Sequence, residues 1–486
     1  MLYRSSRNDD LTGSSAEAIV RGLARDGGLY TPERIPTVDM KELAGLNYTQ
    51  TAAKIMSRLL PDFSEAELLE MTEKAYAGKF TAAELTPTVR VGEELMLELF
   101  HGPTSAFKDV ALCLLPYLMR SAAGKIGQDE DILILTATSG DTGKAALEGF
   151  RDVPGIRIMV FYPHQGVSAV QRAQMVTQSG SNVKVCGVDG NFDDAQSGVK
   201  AIFEKVLDKP RLSSANSINI GRLVPQVVYY FKAYFDAVKA GMVSRGDPLD
   251  FCVPTGNFGD ILAGYIAGEM GLPVGRLVCA SNRNNILTEF IRTGVYDCRR
   301  EFYRTESPSM DILISSNLER LLRLMSGSAH TVAEWMEELK KERRYRVSPE
   351  LLEKIQTRFW AGCCDDEQGR AAIRRLWETE HYLCDTHTAV AWDVAQQYKA
   401  ACPDHNPVAV LSTASPYKFP AAVLSALGEE IDGDEFEKME RLEKLTGVPM
   451  PDNLRGLRQR PVRHRDCVAP ADMLRYVLDR AEEELW

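Results

Sequence analysis

Between Glu94 and Thr413 the chain carries seven short apolar runs, ELMLELF, DILILTA, IRIMVFY, NVKVC, LDFCVP, RLVCAS and PVAVLST, with helical patterns between them. Runs of this length without polar alternation belong to strands covered on both faces, and helical crossovers join such strands in parallel. The clearest helical pattern follows Arg222, where Leu223, Val227, Tyr230, Tyr234 and Val238 recur at helical spacing. A mostly parallel α/β architecture follows. The closely spaced units over 131–209 form a small α/β subdomain. A larger α/β domain takes 87–130 and 210–486, with a helical insertion and a C-terminal helix. Residues 1–86 read differently: a Gly-rich turn at Asp26-Gly27-Gly28, Pro32 and Pro36, then the charged helical AELLEMTEKAY. They form an N-terminal, mainly helical domain. The region from Thr305 to Glu380, with KKERRYRVSPELLEK, is mostly charged helix and reads as a solvated face.

A chain of 486 residues with 44% apolar and 26% charged residues suits two or three packed units of an ordinary globular protein. The net charge of −11 argues against nucleic acid or an anionic membrane as partner, so an anionic ligand needs a local set of donors. The opening MLYRSSRNDD lacks the apolar stretch of a signal peptide, and no run approaches a membrane span. Ten scattered cysteines, without a CxxC pair or metal-ligand spacing, read as reduced thiols. A cytoplasmic protein without a metal, a monomer or homodimer, is expected.

Four stretches carry residues suited to chemistry. ATSGDTGKAA follows the strand DILILT, and Ser139, Asp141, Thr142 and Gly143 offer N–H groups and hydroxyls at a helix start, an anion site. A helix capped by Asp141 or Thr142 explains the same residues. A nucleotide P-loop does not, because Thr138 and Ala145 stand where that motif needs Gly and Ser or Thr. In PTGNFGD, Gly256 and Gly259 let backbone amides approach a phosphate, while Asp260 either caps the next helix or turns away from the anion. In LSTASPYKF, Ser412 and Thr413 leave a strand end where either can meet a ring nitrogen; a capped helix with Pro416 in its first turn is the alternative. In HGPTSAFKDVAL, Lys108 lies between Phe107 and the apolar Val110-Ala111-Leu112, a setting that favours the neutral, nucleophilic amine. On composition alone a lone lysine is a solvated charge, and His101 a turn or core histidine.

Together these stretches resemble threonine synthase, one of the pyridoxal 5′-phosphate (PLP) enzymes of fold type II, the tryptophan-synthase-β-like group. The similarity runs through GLARDGGLYTPERIP, ELFHGPTSAFKDVAL, LTATSGDTGKAA, SINIGRLVPQVVYYF, PTGNFGDILAGY, TESPSMDILISSNLER and LSTASPYKF. DGGLYTP is similar to the longer, bacterial and fungal type. The resemblance implies that Lys108 is the catalytic, Schiff-base lysine, and that Gly256, Asn257, Phe258, Gly259 and Asp260 form the turn holding the cofactor phosphate. Asp141 takes the place of an Asn beside the ring hydroxyl, and Thr413, with Ser412 as rival, faces the pyridine nitrogen. Ser139, Thr142 and Gly143 are matched to the substrate carboxylate. The family's TAHP is here Ala414-Ser415-Pro416 preceded by Thr413, so a His is replaced by Ser415.

The implied reaction turns O-phospho-L-homoserine and water into L-threonine and phosphate, a carbon–oxygen lyase chemistry acting on a phosphate. The leaving phosphate needs a second anion site, and Asn216, Ser217, Asn219 and Arg222 in SANSINIGR are the candidates, since Arg binds phosphate through two N–H groups. A capped helix start with a surface arginine explains those residues as well. Two other functions stay open at this stage: a PLP lyase or dehydratase yielding a 2-oxo acid, and a catalytically silent α/β binding protein.

Overall fold

The computed structural model describes residues 1–128, 130–138, 140–164, 167–205 and 212–481. Two sheets dominate. The larger runs in the order Phe359–Cys363, Val274–Ser281, Leu249–Pro254, Val408–Ser412, Glu94–Glu98, Thr88–Val91, with all pairs parallel except the last. All six residues of Leu249–Pro254 are buried, as expected for a central strand covered on both faces. The smaller sheet runs Cys467–Val468, Val183–Val188, Ile156–Pro163, Ile132–Ala137, Leu212–Ser213, parallel throughout.

The seven apolar runs are all strands. The charged stretch after Thr305 also contains the edge strand Phe359–Cys363, whose pattern FWAGC is too short and mixed to stand out. The C-terminal segment, expected within the large domain, goes elsewhere. Its strand Cys467–Val468 pairs with Val183–Val188, and Met473 is buried in the core of the small sheet. The chain thus returns from the large sheet to close the small one.

The N-terminal part adds the helices Tyr48–Leu59 and Glu65–Tyr76 to a three-stranded antiparallel sheet of Tyr3–Ser5, Thr12–Gly13 and Tyr30–Pro32. Asn47 and Ser64 cap the two helices through reciprocal bonds with Gln50 and Glu67. This unit is not a free appendage. Tyr76 Oη donates to Val110 O at 2.8 Å, and the Asn219 amide donates to Ile19 O at 2.8 Å, tying it to helices that carry candidate site residues.

All ten cysteines are free thiols, most of them buried. Among the described residues no group of His, Cys, Asp and Glu is arranged to hold a metal, and no helix is long and apolar enough to cross a membrane.

Candidate active site

Every motif lies beyond the carboxyl end of a parallel strand, the edge where open α/β sheets bind ligands. Lys108 begins the helix Lys108–Lys125, after the strand Glu94–Glu98. The segment before it is fixed against the next strand: Phe107 N donates to Thr413 O at 2.8 Å, and Ser415 N to Ser105 O at 3.1 Å. This pairing joins the segment just before Lys108 to Thr413–Ser415. The hydroxyl of Ser412, the rival, is engaged by other neighbours. Its Oγ lies 3.2 Å from Thr388 Oγ1 and accepts from Tyr382 Oη at 3.3 Å.

The Lys108 side chain is 11% exposed. Nζ donates to Ser309 Oγ at 3.4 Å, lies 3.9 Å from Asp141 Oδ2 and 4.9 Å from the Phe107 ring centre. Burial pushes the amine down to about 8; Asp141 opposes this, while Lys418 and Arg222 add to it. A fraction of neutral amine near pH 7 is what a nucleophile or base requires.

Asp141 opens the helix Asp141–Phe150 without capping it. The cap residue is Gly140, at φ 153°, with no side-chain bond to the helix. The Asp141 carboxyl instead points into the site, where Oδ1 accepts from Lys418 Nζ at 2.7 Å and Gln171 Nε2 at 3.0 Å. Burial works against ionisation, but Lys418 and then Lys108 outweigh it and hold this carboxyl below the usual range. Gly143, expected to offer a free N–H, has it bonded to Thr138 Oγ1 at 2.9 Å. Thr142 is half-buried in the first turn. Ser139 lies outside the described residues.

The turn 256–260 leads from Leu249–Pro254 into the helix Gly259–Glu269. Phe258 adopts a left-handed conformation at φ 62°, an unfavourable geometry for a residue with a Cβ, and its ring packs on Phe359 at 5.8 Å. The kink leaves Gly256, Asn257 and Gly259 partly exposed at a helix N-terminus, a cradle for an anion. Asp260 does not cap this helix. Its Oδ1 accepts from Tyr229 Oη at 2.6 Å and Tyr230 Oη at 2.9 Å, and burial raises its carboxyl to about 6 despite these bonds.

Of the four candidates for a second anion site, two keep their polar groups toward structure. Asn219 is fully buried: Oδ1 caps the helix Ile220–Lys239 at Gly221 N, 2.9 Å, and Nδ2 reaches Ile19 O. Asn216 Oδ1 accepts from Thr136 Oγ1 at 3.2 Å. The Ser217 carbonyl accepts from Asn317 Nδ2 at 3.2 Å. Arg222 is not a surface arginine. It is 3% exposed, Nη1 donates to Ala215 O at 3.0 Å, and Nε has no partner among the described residues. Burial lowers it to about 10, with no carboxylate among the described residues offsetting that cost. An unopposed buried guanidinium close enough to depress Lys108 calls for an anion.

Several residues of the site escaped the sequence reading. Lys418 sits within the quoted LSTASPYKF, and a charge inside an apolar run was the available signal. His387 lies between Asp385 and Ser309: Nδ1 bonds Asp385 Oδ2 at 2.7 Å, and Nε2 accepts from Ser309 N at 3.2 Å. Asn317 joins both candidate anion sites, because its N and Nδ2 donate to Asn257 O at 3.0 and 3.1 Å while Nδ2 also serves Ser217 O. Ser415 caps the short turn Pro416–Lys418.

A family model described as "Pyridoxal-phosphate dependent enzyme" matches residues 82–414, flanked by "Threonine synthase N terminus" over 2–76 and "Threonine synthase, C-terminal" over 388–476. The threonine synthase of Pseudomonas aeruginosa is 39% identical, covering 92% of this chain and 96% of its own length. The chain belongs to the threonine synthase family. Human "Threonine synthase-like 1" is also 39% identical over 95% of the chain, which spans 65% of that longer protein. The crystal structure of PLP-bound threonine synthase from Brucella melitensis superposes with a TM-score of 0.88 at 37% identity, covering 99% of this chain and 100% of its own. The fold is therefore that of a fold type II PLP enzyme. The residues present suit the cofactor: a buried amine of lowered basicity, a glycine cradle at a helix N-terminus, and a hydroxyl-bearing residue, Thr413, whose backbone pairs with Phe107 just before the amine.

Proposed function

We propose that this chain converts O-phospho-L-homoserine and water to L-threonine and phosphate. The observation that carries the reading is the pairing of Lys108, an amine lowered to about 8, with Arg222, a buried guanidinium that lacks a carboxylate partner among the described residues. The reaction needs a base and a separate seat for a departing dianion.

Lys108 would hold PLP, with the 256–259 amides on its phosphate, Asp141 by the ring hydroxyl and Thr413 toward the ring nitrogen. When bound, PLP supplies an aldehyde for the substrate amine and a ring that withdraws the electron pair left on the α-carbon. The Lys108 amine takes the α-proton of the substrate, passes it on to water, and is then free to take a β-proton. Arg222 holds the γ-phosphate through two N–H groups as its bond to Cγ breaks. Thr142 and the start of its helix orient the substrate carboxylate, and Ser139 belongs to this group in the same reading. Lys108 delivers the β-proton to Cγ, water adds its hydroxyl at Cβ and gives its proton to the departed phosphate, and Lys108, protonated again from water, returns a proton to Cα. Family membership and the geometry around Lys108 support these assignments.

The protein acts on this small molecule in the cytoplasm as a monomer or homodimer, without nucleic acid, in line with its acidic charge. Incubation with O-phospho-L-homoserine tests the activity. Threonine and phosphate in equal amounts support it; a 2-oxo acid in place of threonine replaces it with a lyase. In Lys108→Ala the visible absorbance band of the holoenzyme disappears, and its persistence rejects Lys108 as the cofactor-bearing amine.

A further inference from the structure

Asp141 lies between two lysines, and only one of them has a part in the chemistry above. Lys418 is 1% exposed, with a side chain that is 0% exposed. Its Nζ makes two contacts, to Asp141 Oδ1 at 2.7 Å and to Thr104 O at 3.1 Å. The second leads back to the Lys108 segment, because Thr104 N and Oγ1 donate to Asp109 Oδ2 and Oδ1 at 2.8 and 2.6 Å. Lys418 is held at the end of the short turn Pro416–Lys418, directly after the Thr413–Ser415 stretch paired with Ser105–Phe107. A buried ammonium is costly unless paired, and a buried carboxylate is costly for the same reason. Each resolves the other's cost.

We propose that Lys418 is a positioning residue that sets the basicity of Lys108 through Asp141, so that the Asp141–Lys418 ion pair stands in for a neutral side chain beside the cofactor ring. Asp141 Oδ1 is turned to Lys418, leaving Oδ2 at 3.9 Å from Lys108. The attraction of Lys108 to Asp141 is opposed by repulsion from Lys418, so the pair presents a small net field. The other charged groups near Lys108 are Arg222, Asp109 on its own helix and Asp260 on the helix Gly259–Glu269. None of these three contacts Asp141, so none can replace Lys418.

This rests on Lys108 being the cofactor-bearing amine. The test is the pH midpoint of the visible absorbance band of the holoenzyme, followed in wild type, Lys418→Met, Lys418→Arg and the double variant Asp141→Asn/Lys418→Met. Lys418→Met leaves Asp141 unopposed, and the midpoint rises by about one pH unit. Lys418→Arg keeps the charge and stays near wild type. The double variant removes both charges and returns the midpoint toward wild type, which a merely structural lysine would not do. If Lys418→Met does not fold, Asp141→Asn alone gives the opposite sign, a fall of about one unit, because Lys418 is then unopposed. An unmoved midpoint in Lys418→Met or in Asp141→Asn, or a double variant no closer to wild type than Lys418→Met, overturns the proposal. A wild-type protein without a visible band when mixed with PLP would instead sink the assignment of Lys108.

Discussion

Replacing Gly256 by Ala isolates the phosphate turn by adding one methyl group. The backbone there is not in the left-handed region, so alanine is allowed conformationally and the objection is purely steric. The new Cβ would stand 2.6 Å from Ser309 O. An ordinary contact begins near 3.4 Å, so something must move by several tenths of an ångström. The turn is pinned from the other side, because Gly256 O accepts from Ser315 Oγ at 2.8 Å and Asn257 O accepts twice from Asn317. The Ser309 loop is pinned as well, by His387 Nε2 on Ser309 N and by Lys108 on Ser309 Oγ. Overpacking of this kind costs about 1–3 kcal/mol, or roughly 5- to 150-fold in an affinity that depends on the turn. Titrating apoenzyme with PLP and following the visible band measures it. Gly124→Ala, on the Lys108 helix with nothing within 4 Å of the new Cβ, is the control and keeps wild-type affinity. A Gly256→Ala affinity within twofold of wild type would refute the reasoning.

The remaining predictions concern stability, pH and the second anion site. Gly149→Ala places Cβ 2.0 Å from Leu112 O, where the Asp141 helix crosses the Lys108 helix; the clash exceeds the gain of about 1 kcal/mol in helix propensity, so the apparent Tm falls, and an unchanged or higher Tm counts against it. The rate at which apoenzyme captures PLP rises with pH and levels off above about 8 as the Lys108 amine loses its proton; a flat rate between pH 6 and 8 contradicts this. Asp260 is raised to about 6, so the neutral acid is preferred in the fold; its contribution is fully present below the unfolded value near 3.8 and is lost as pH rises through 6. Asp260→Asn therefore raises the apoenzyme Tm relative to wild type at pH 8 and not at pH 4, and a difference independent of pH would argue otherwise. Arg222→Lys keeps a charge but loses two-point binding, so KM for O-phospho-L-homoserine rises by about tenfold; steady-state kinetics with an unchanged KM would remove Arg222 from the phosphate seat.

The central strands were legible because burial on both faces imposes unbroken apolar runs. The edges were not. Thr88–Val91 is half-exposed and antiparallel, and Leu212–Ser213 and Cys467–Val468 have two residues each, too few for any pattern. The glycine turns were legible for a related reason, since a backbone that must approach an anion leaves glycine at fixed places. Lys418, His387 and Asn317 were hidden because their roles exist only across distant segments. Lys418 meets Asp141 from 277 positions away, and nothing local marks that meeting. Arg222 was found for its chemistry, but its burial, which gives it force, comes from a helix enclosed on most sides.

The late return of the chain to the smaller sheet has a consequence for biogenesis. Until Cys467 and Val468 leave the ribosome, Val183–Val188 presents an unpaired outer strand, and such borders invite pairing with other chains. A nascent protein that already holds Lys108, Asp141 and Lys418 is thus still sticky along one side. Loss of the last twenty residues should surface as aggregation before it surfaces as poor catalysis.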